Sequence, residues 1–138
     1  MPSFGKISRD RLDTCHPDLQ RIMEAVVERY DIAIICGHRG RADQMMAYAS
    51  GKSKLPWPKS RHNTEPSMAV DIAPYPIHWD DRAAFALMAG WVMCTADRLL
   101  QDGVISHALK WGGDWDGDHQ TTDHRFQDFP HFELIGGE

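Results

Sequence analysis

The stretch Ser60-Arg61-His62-Asn63-Thr64-Glu65-Pro66-Ser67-Met68-Ala69-Val70-Asp71-Ile72-Ala73 decides how the chain is read. In its second half Met68, Val70 and Ile72 alternate with Ala69, Asp71 and Ala73, which predicts a β-strand turning Asp71 away from the large apolar residues. Pro74 and Pro76 end that strand. The first half is polar and carries His62 nine positions before Asp71. Imidazole nitrogen and carboxylate oxygen are good zinc ligands, and a strand would hold the second one rigidly, as catalysis requires. Two ligands do not make a catalytic metal site, so a third ligand, a proton-transfer group and a substrate-holding group must come from elsewhere in the chain.

Outward from this stretch, a long loop from Lys52 to Pro66 contains three prolines. It is too long for a passive connector in a small domain, so it is expected to line something. Before it, Leu19, Ile22, Met23, Val26, Val27 and Tyr30 recur at helical spacing, and Pro17 suits a first helical turn. Ile32 to Cys36 reads as a buried strand ended by Gly37, with His38 and Arg39 at its exit. A further helix from about Arg41 to Ser50 stops at Gly51. Beyond the central stretch, Asp80 is the expected N-cap of a long core helix bearing Phe85, Met88, Val92 and Leu99, with Gly103 as its stop. Ile105 to Trp111 predicts another strand, leading into an acidic turn and a polar loop that runs to Asp128. Phe129 to Leu134 is the last strand, with His131 and Glu133 on one face and Phe132 and Leu134 on the other. The elements sum to an α+β fold, a small mainly antiparallel sheet with helices packed on it.

The 138 residues suit a single domain, 1–138, able to bury its own core. A net charge of −5 argues against nucleic acid as a partner, and the run Lys52, Lys54, Lys59 and Arg61 reads as a solvated loop. Cys15, Cys36 and Cys94 are odd in number and lack a Cys-x-x-Cys pair, which favours a reducing compartment over a disulfide framework. The opening residues show no secretory signal, and no window reaches the roughly 18 apolar residues of a membrane span, so neither export by signal peptide nor membrane insertion is expected. Of Trp57, Trp79, Trp111 and Trp115, at least two are expected in the core.

His131 is the best third ligand, because it projects from a predicted strand as Asp71 does. If the two strands are neighbours, both side chains converge and His62 approaches from the loop. A His2Asp set leaves a coordination position open for water, as in a hydrolase. The competing reading makes His62 a surface-loop residue, Asp71 a capping group and His131 a half-buried strand residue.

Ser60-x-His62 followed by Ala69-Val70-Asp71, together with Asp128-x-Pro130-His131-Phe132-Glu133, resembles the paired signature of the zinc D,D-peptidase family. That family includes D-alanyl-D-alanine carboxypeptidases, D-Ala-D-Ala dipeptidases and phage L-alanyl-D-glutamate endolysins, and its fold is shared with the Hedgehog signalling domain. Phe4-Gly5-Lys6-x-Ser8, His16-Pro17-Asp18-Leu19 and Trp111-Gly112-Gly113-Asp114-Trp115 are most similar to the single-domain endolysin branch. The resemblance implies that His62, Asp71 and His131 bind zinc and that Asp128, three residues before the last histidine, is the catalytic base. A carboxylate there takes a proton from water and passes it to the leaving amine. Glu133 is the rival, but it lies roughly 6–7 Å along the strand, which better suits orienting a ligand. Arg39 with Gln44 matches the family's Arg-x-x-x-x-Gln pattern and, with Ser60, is expected at the substrate, where a guanidinium binds a carboxylate or an oxyanion.

The implied activity is hydrolysis of peptidoglycan stem peptides by an endolysin-type L-alanyl-D-glutamate endopeptidase. It would act as a monomer, made in the cytoplasm and admitted to the wall by a separate membrane-permeabilising protein. The alternatives are a D,D-carboxypeptidase or dipeptidase, and, in another class, a non-enzymatic zinc-binding module. Between His62 and Asp71 the insert Asn63-Thr64-Glu65-Pro66-Ser67-Met68 is longer than the family's usual Gly-containing spacer, which makes it the expected seat of specificity. Asp114, Asp116 and Asp118 alternate like the first ligands of a calcium loop, but His119 and Arg125 stand where an EF-hand needs Gly and Glu. A looser calcium site and an acidic solvated turn are the two readings left.

Overall fold

The computed structural model describes residues 2–119 and 128–136. Within them the elements run α1 (Lys6–Leu12), α2 (Pro17–Val27), β1 (Ile32–Cys36), α3 (Arg41–Ala49), a 3-10 turn (Arg61–Asn63), β2 (Ala69–Pro74), α4 (Arg82–Gln101), β3 (Ala108–Gly112) and β4 (Asp128–Ile135). The four strands form one antiparallel sheet in the order β1-β2-β4-β3. β2 and β4 are therefore central neighbours although the whole of α4 and β3 separates them in the chain.

The apolar face of the sheet is set by alternation. Val70, Ile72, Phe132 and Leu134 are wholly buried, and they meet Phe85, Met88, Val92 and Ala96 of α4 and Leu19, Ile22, Met23 and Val26 of α2. Against the expectation that no window suits a membrane span, α4 is long and apolar enough by composition to cross one. In this fold it is a core helix, because its buried stripe packs on the sheet and on α2. All three cysteines are free thiols, and burial pushes Cys15 up to about 12, so it is an inert core residue.

Two boundaries differ from expectation. The N-cap of α4 is Asp81, whose carboxylate accepts the Ala84 N–H at 3.1 Å; Asp80 is one residue too early. β3 begins at Ala108 rather than Ile105, because the backbone of Ser106 and His107 is taken by Asp18. Asp18 Oδ2 accepts from both of those N–H groups and lies 2.8 Å from His107 Nδ1, tying the start of α2 to the entry of β3. Of the four tryptophans considered, only Trp111 joins the core, whereas Trp79 is 58% exposed. The part of the expected polar loop at 120–127 lies outside the described residues.

Candidate active site

The pairing of β2 with β4 sets Asp71 directly opposite His131. Both point to the face away from the core, as the alternation requires. His62 comes from the 3-10 turn, which Ser60 caps: its Oγ accepts the His62 N–H at 3.2 Å, and Asn63 Oδ1 accepts the Ser60 N–H at 3.1 Å. The three side chains meet. His62 Nε2 and His131 Nδ1 each lie 3.2 Å from Asp71 Oδ1.

The outer partners of the two rings fix their tautomers. His62 Nδ1 lies 2.8 Å from the Gly37 carbonyl oxygen, and His131 Nε2 lies 2.8 Å from Glu133 Oε1, so these nitrogens carry hydrogens and donate. The inner nitrogens are then lone-pair donors converging on a carboxylate oxygen. Three electron-pair donors facing one another demand positive charge, which a divalent cation or two protons would supply. Backing of each ligating histidine by a carbonyl or carboxylate is the usual arrangement around a metal. The donor set therefore fits a metal ion, and the two-nitrogen, one-oxygen chemistry suits zinc. Without a metal, burial works against a proton on His62, but the charge and hydrogen bond of Asp71 outweigh it and raise the ring to about 10. His131 behaves alike: burial opposes its proton, while Asp71 and Glu133 raise it to about 9. Burial works against the Asp71 charge, and the two histidines overcome it, holding the carboxyl well below the usual range.

Asp128 stands beside this set, within reach of a cation shared with Asp71 and His131. Burial, reinforced by the Asp71 charge, pushes its carboxyl up to about 6. A carboxylate poised there accepts and returns protons near neutrality. Its placement depends on a bulge: the β3–β4 register shifts between Trp111 and Gly112, and Gly112 lies opposite Asp128. A Cβ on Gly112 would stand 2.1 Å from the Asp128 carbonyl oxygen, so the close approach requires glycine.

Around the set opens a cleft of about 700 Å³ whose walls include Arg39, Lys52, Lys54, Leu55, Trp79 and Trp115. Arg39 Nη2 lies 3.5 Å from Asp71 Oδ2, and Trp115 packs 5.6 Å from the His131 ring. Ser60 lines the cleft with its hydroxyl engaged in the cap. Glu133 is held ionised against its burial by His131, Arg61 and Lys110, consistent with a residue that orients His131.

Two expectations need correction. Gln44 has no accessible surface and stands behind Arg39, so it does not touch substrate directly. The insert between His62 and Asp71 does not form the rim either. Ser67 bridges to Cys15, Met68 N–H bonds back to the turn, and the described cleft wall comes from 52–55 instead. Asp114, Asp116 and Asp118 do bring one oxygen each within 4.8 Å of one another, in a separate group.

Sequence reasoning missed Cys36, whereas the loop expected to line something does so, through 52–55 of the cleft wall. Cys36 Sγ lies within 4.8 Å of donor atoms of His62 and Asp71, brought there by a bulge in β1 between Ile34 and Cys36. Gly37 ending β1 was a visible sign of irregularity, but nothing local disclosed the direction of the thiol. The run Lys52, Lys54 read as a solvated loop because its role depends on anchorage to α3.

A candidate metal centre with a proton-accepting carboxylate beside it in a cleft is an arrangement suited to a hydrolytic enzyme. The chain belongs to the phage L-alanyl-D-glutamate peptidase family, whose model matches residues 2–135. It is 35% identical over 142 residues to the L-alanyl-D-glutamate peptidase of Escherichia phage T5, covering 96% of this chain and 97% of that protein. The crystal structure of the Serratia marcescens L-Ala D-Glu endopeptidase ChiX is similar in fold, with a TM-score of 0.69 and 26% identity over 96% of this chain and 89% of that one.

Proposed function

We propose that the chain is a zinc-dependent endopeptidase that hydrolyses the L-alanyl–D-glutamate bond in peptidoglycan stem peptides. The observation that carries the chemistry is the convergence of His62 Nε2 and His131 Nδ1 on Asp71 Oδ1 beside Asp128. The family and both relatives support the bond. His62, Asp71 and His131 would hold the zinc, which when bound would supply Lewis-acid polarisation of a carbonyl and lower the pKa of water. Asp128 takes the proton of the attacking water and returns it to the leaving amine. Arg39, with Nη2 at 3.5 Å from Asp71 and its face on the cleft, stabilises the oxyanion. Ser60 offers a polar contact on the same wall, and Lys52 and Lys54 suit the carboxylates of an acidic stem peptide. The enzyme works as a single-domain monomer, kept in the cytoplasm until a separate permeabilising protein admits it to the wall; three free cysteines accord with that compartment.

Digestion of purified peptidoglycan followed by mass spectrometry tests the bond. New N-terminal D-glutamate or isoglutamine is the expected product. Released D-alanine would point to a carboxypeptidase or dipeptidase, and no product to a binding module.

A second, oxygen-ligated cation is favoured by one observation: Asp114 Oδ1 is buried without a hydrogen-bond partner among the described residues, beside Asp116 and Asp118. Calcium suits such ligands. Isothermal titration of the zinc-loaded protein with calcium should give heat, and its absence would leave an acidic turn.

A further inference from the structure

Gln44 is the only wholly buried polar side chain within bonding reach of Arg39 among the described residues, and all its amide atoms are used. Its Oε1 accepts from Arg39 Nη1 at 2.9 Å and Asn63 Nδ2 at 3.1 Å. Its Nε2 donates to Ser53 Oγ at 2.9 Å and to the Leu55 carbonyl at 2.6 Å. These partners lie on three separate segments. Arg39 follows β1 and faces Asp71; Asn63 adjoins His62 in the metal-ligand turn; Ser53 and Leu55 belong to the cleft wall that carries Lys52 and Lys54.

The amide has one workable orientation. Turned over, its NH2 would face the Arg39 and Asn63 donors, and its oxygen would face the Leu55 carbonyl. A buried, fully satisfied group of this kind fixes its partners relative to one another. The backbone supports the same geometry, since the Arg39 N–H donates to the His62 carbonyl at 2.8 Å and Asn63 Nδ2 donates to the Arg39 carbonyl at 3.0 Å.

We propose that Gln44 is a positioning residue that joins the two halves of catalysis: its oxygen sets the Arg39 guanidinium, and its nitrogen sets the 53–55 wall against which substrate binds. The proposal rests on the reading of Arg39 as the oxyanion-stabilising group. The two arms are separable. Loss of the oxygen arm lowers kcat through Arg39, while loss of the nitrogen arm raises KM through the wall.

The test is steady-state kinetics of the zinc-loaded full chain on a soluble peptide containing an L-alanyl-D-glutamyl bond, with zinc content and Tm measured for each variant. Arg39→Ala should lower kcat about 100- to 1000-fold. Gln44→Met should lower kcat about 10- to 100-fold, yet cause no further loss when added to Arg39→Ala. Gln44→Glu, which keeps an acceptor for Arg39, should recover kcat relative to Gln44→Met. Ser53→Ala should raise KM about fivefold with kcat held. A normal kcat in Arg39→Ala would remove the Arg39 reading itself. A reduced kcat in Arg39→Ala with a full additional loss from Gln44→Met would leave Arg39 in place and overturn the coupling. If Gln44→Met does not fold, Ser53→Ala decides: raised KM supports the wall arm, and unchanged KM overturns it.

Discussion

Asp128 is where residue-level chemistry is most sharply defined. Burial and the neighbouring Asp71 charge raise its carboxyl to about 6, and the base form is the unprotonated one, so activity should rise with pH through that value. A cation on His62, Asp71 and His131 adds positive charge and moves the rising limb lower. A kcat/KM profile should therefore show a limb at or below about pH 6 that vanishes in Asp128→Asn, whose turnover should fall about 100- to 10,000-fold with zinc retained. Near-normal turnover in that variant would exclude Asp128 as the base. Much of this was readable from single residues: alternation alone put Asp71, His131 and Glu133 on the polar face of their strands. What alternation does not carry is depth. Gln44 carries no local mark of complete burial, and the Cys36 thiol reaches the site only because β1 bulges.

Elements decide where those residues stand. The strand pattern of β2 and β4 was legible from period-two hydrophobicity, but their adjacency was not, since register depends on contacts across the sheet. The same holds for α4, where Asp80 and Asp81 are equivalent by type and only the 3.1 Å bond to Ala84 selects the second. The β3–β4 bulge gives a direct prediction. Gly112→Ala must push the Asp128 backbone away, so kcat should drop by about tenfold or more with metal content unchanged, at a stability cost of about 1–3 kcal/mol. Wild-type kinetics in Gly112→Ala would show that the close approach does not place the base. On the opposite side, Asp18 clamps α2 to β3. Burial raises its pKa, but His107 and the Ser106 backbone outweigh that and lower it below 3.8. Its contribution is thus present above 3.8 and fades as pH falls through the lower folded value. Asp18→Ala should cost about 1–3 kcal/mol at pH 7, read by denaturant melts, and the difference from wild type should shrink in acid.

For the molecule as a whole, metal and fold are linked. Two raised histidines stabilise the metal-free protein fully below their ordinary 6.5, and that contribution is lost as pH rises through about 9 and 10. Binding a cation displaces those protons, so apparent affinity should climb with pH and protons should be released on loading. Calorimetry in buffers of different ionisation enthalpy measures that release, and a buffer-independent heat would contradict it. Chelation should abolish turnover and remove about 4 kcal/mol of stability relative to protein held at a thousandfold excess of metal over Kd.

The central pairing of β2 with β4 also has a bearing on how the protein comes into being. Asp71 and His131 are adjacent only after the chain has crossed α4 and β3 and returned, one of the longest-range contacts in the sheet. Such pairings form late, because loop closure precedes their reward. A chain that has not yet paired β2 with β4 therefore brings at most two of His62, Asp71 and His131 together, and a site built on all three is complete only once that pairing has formed.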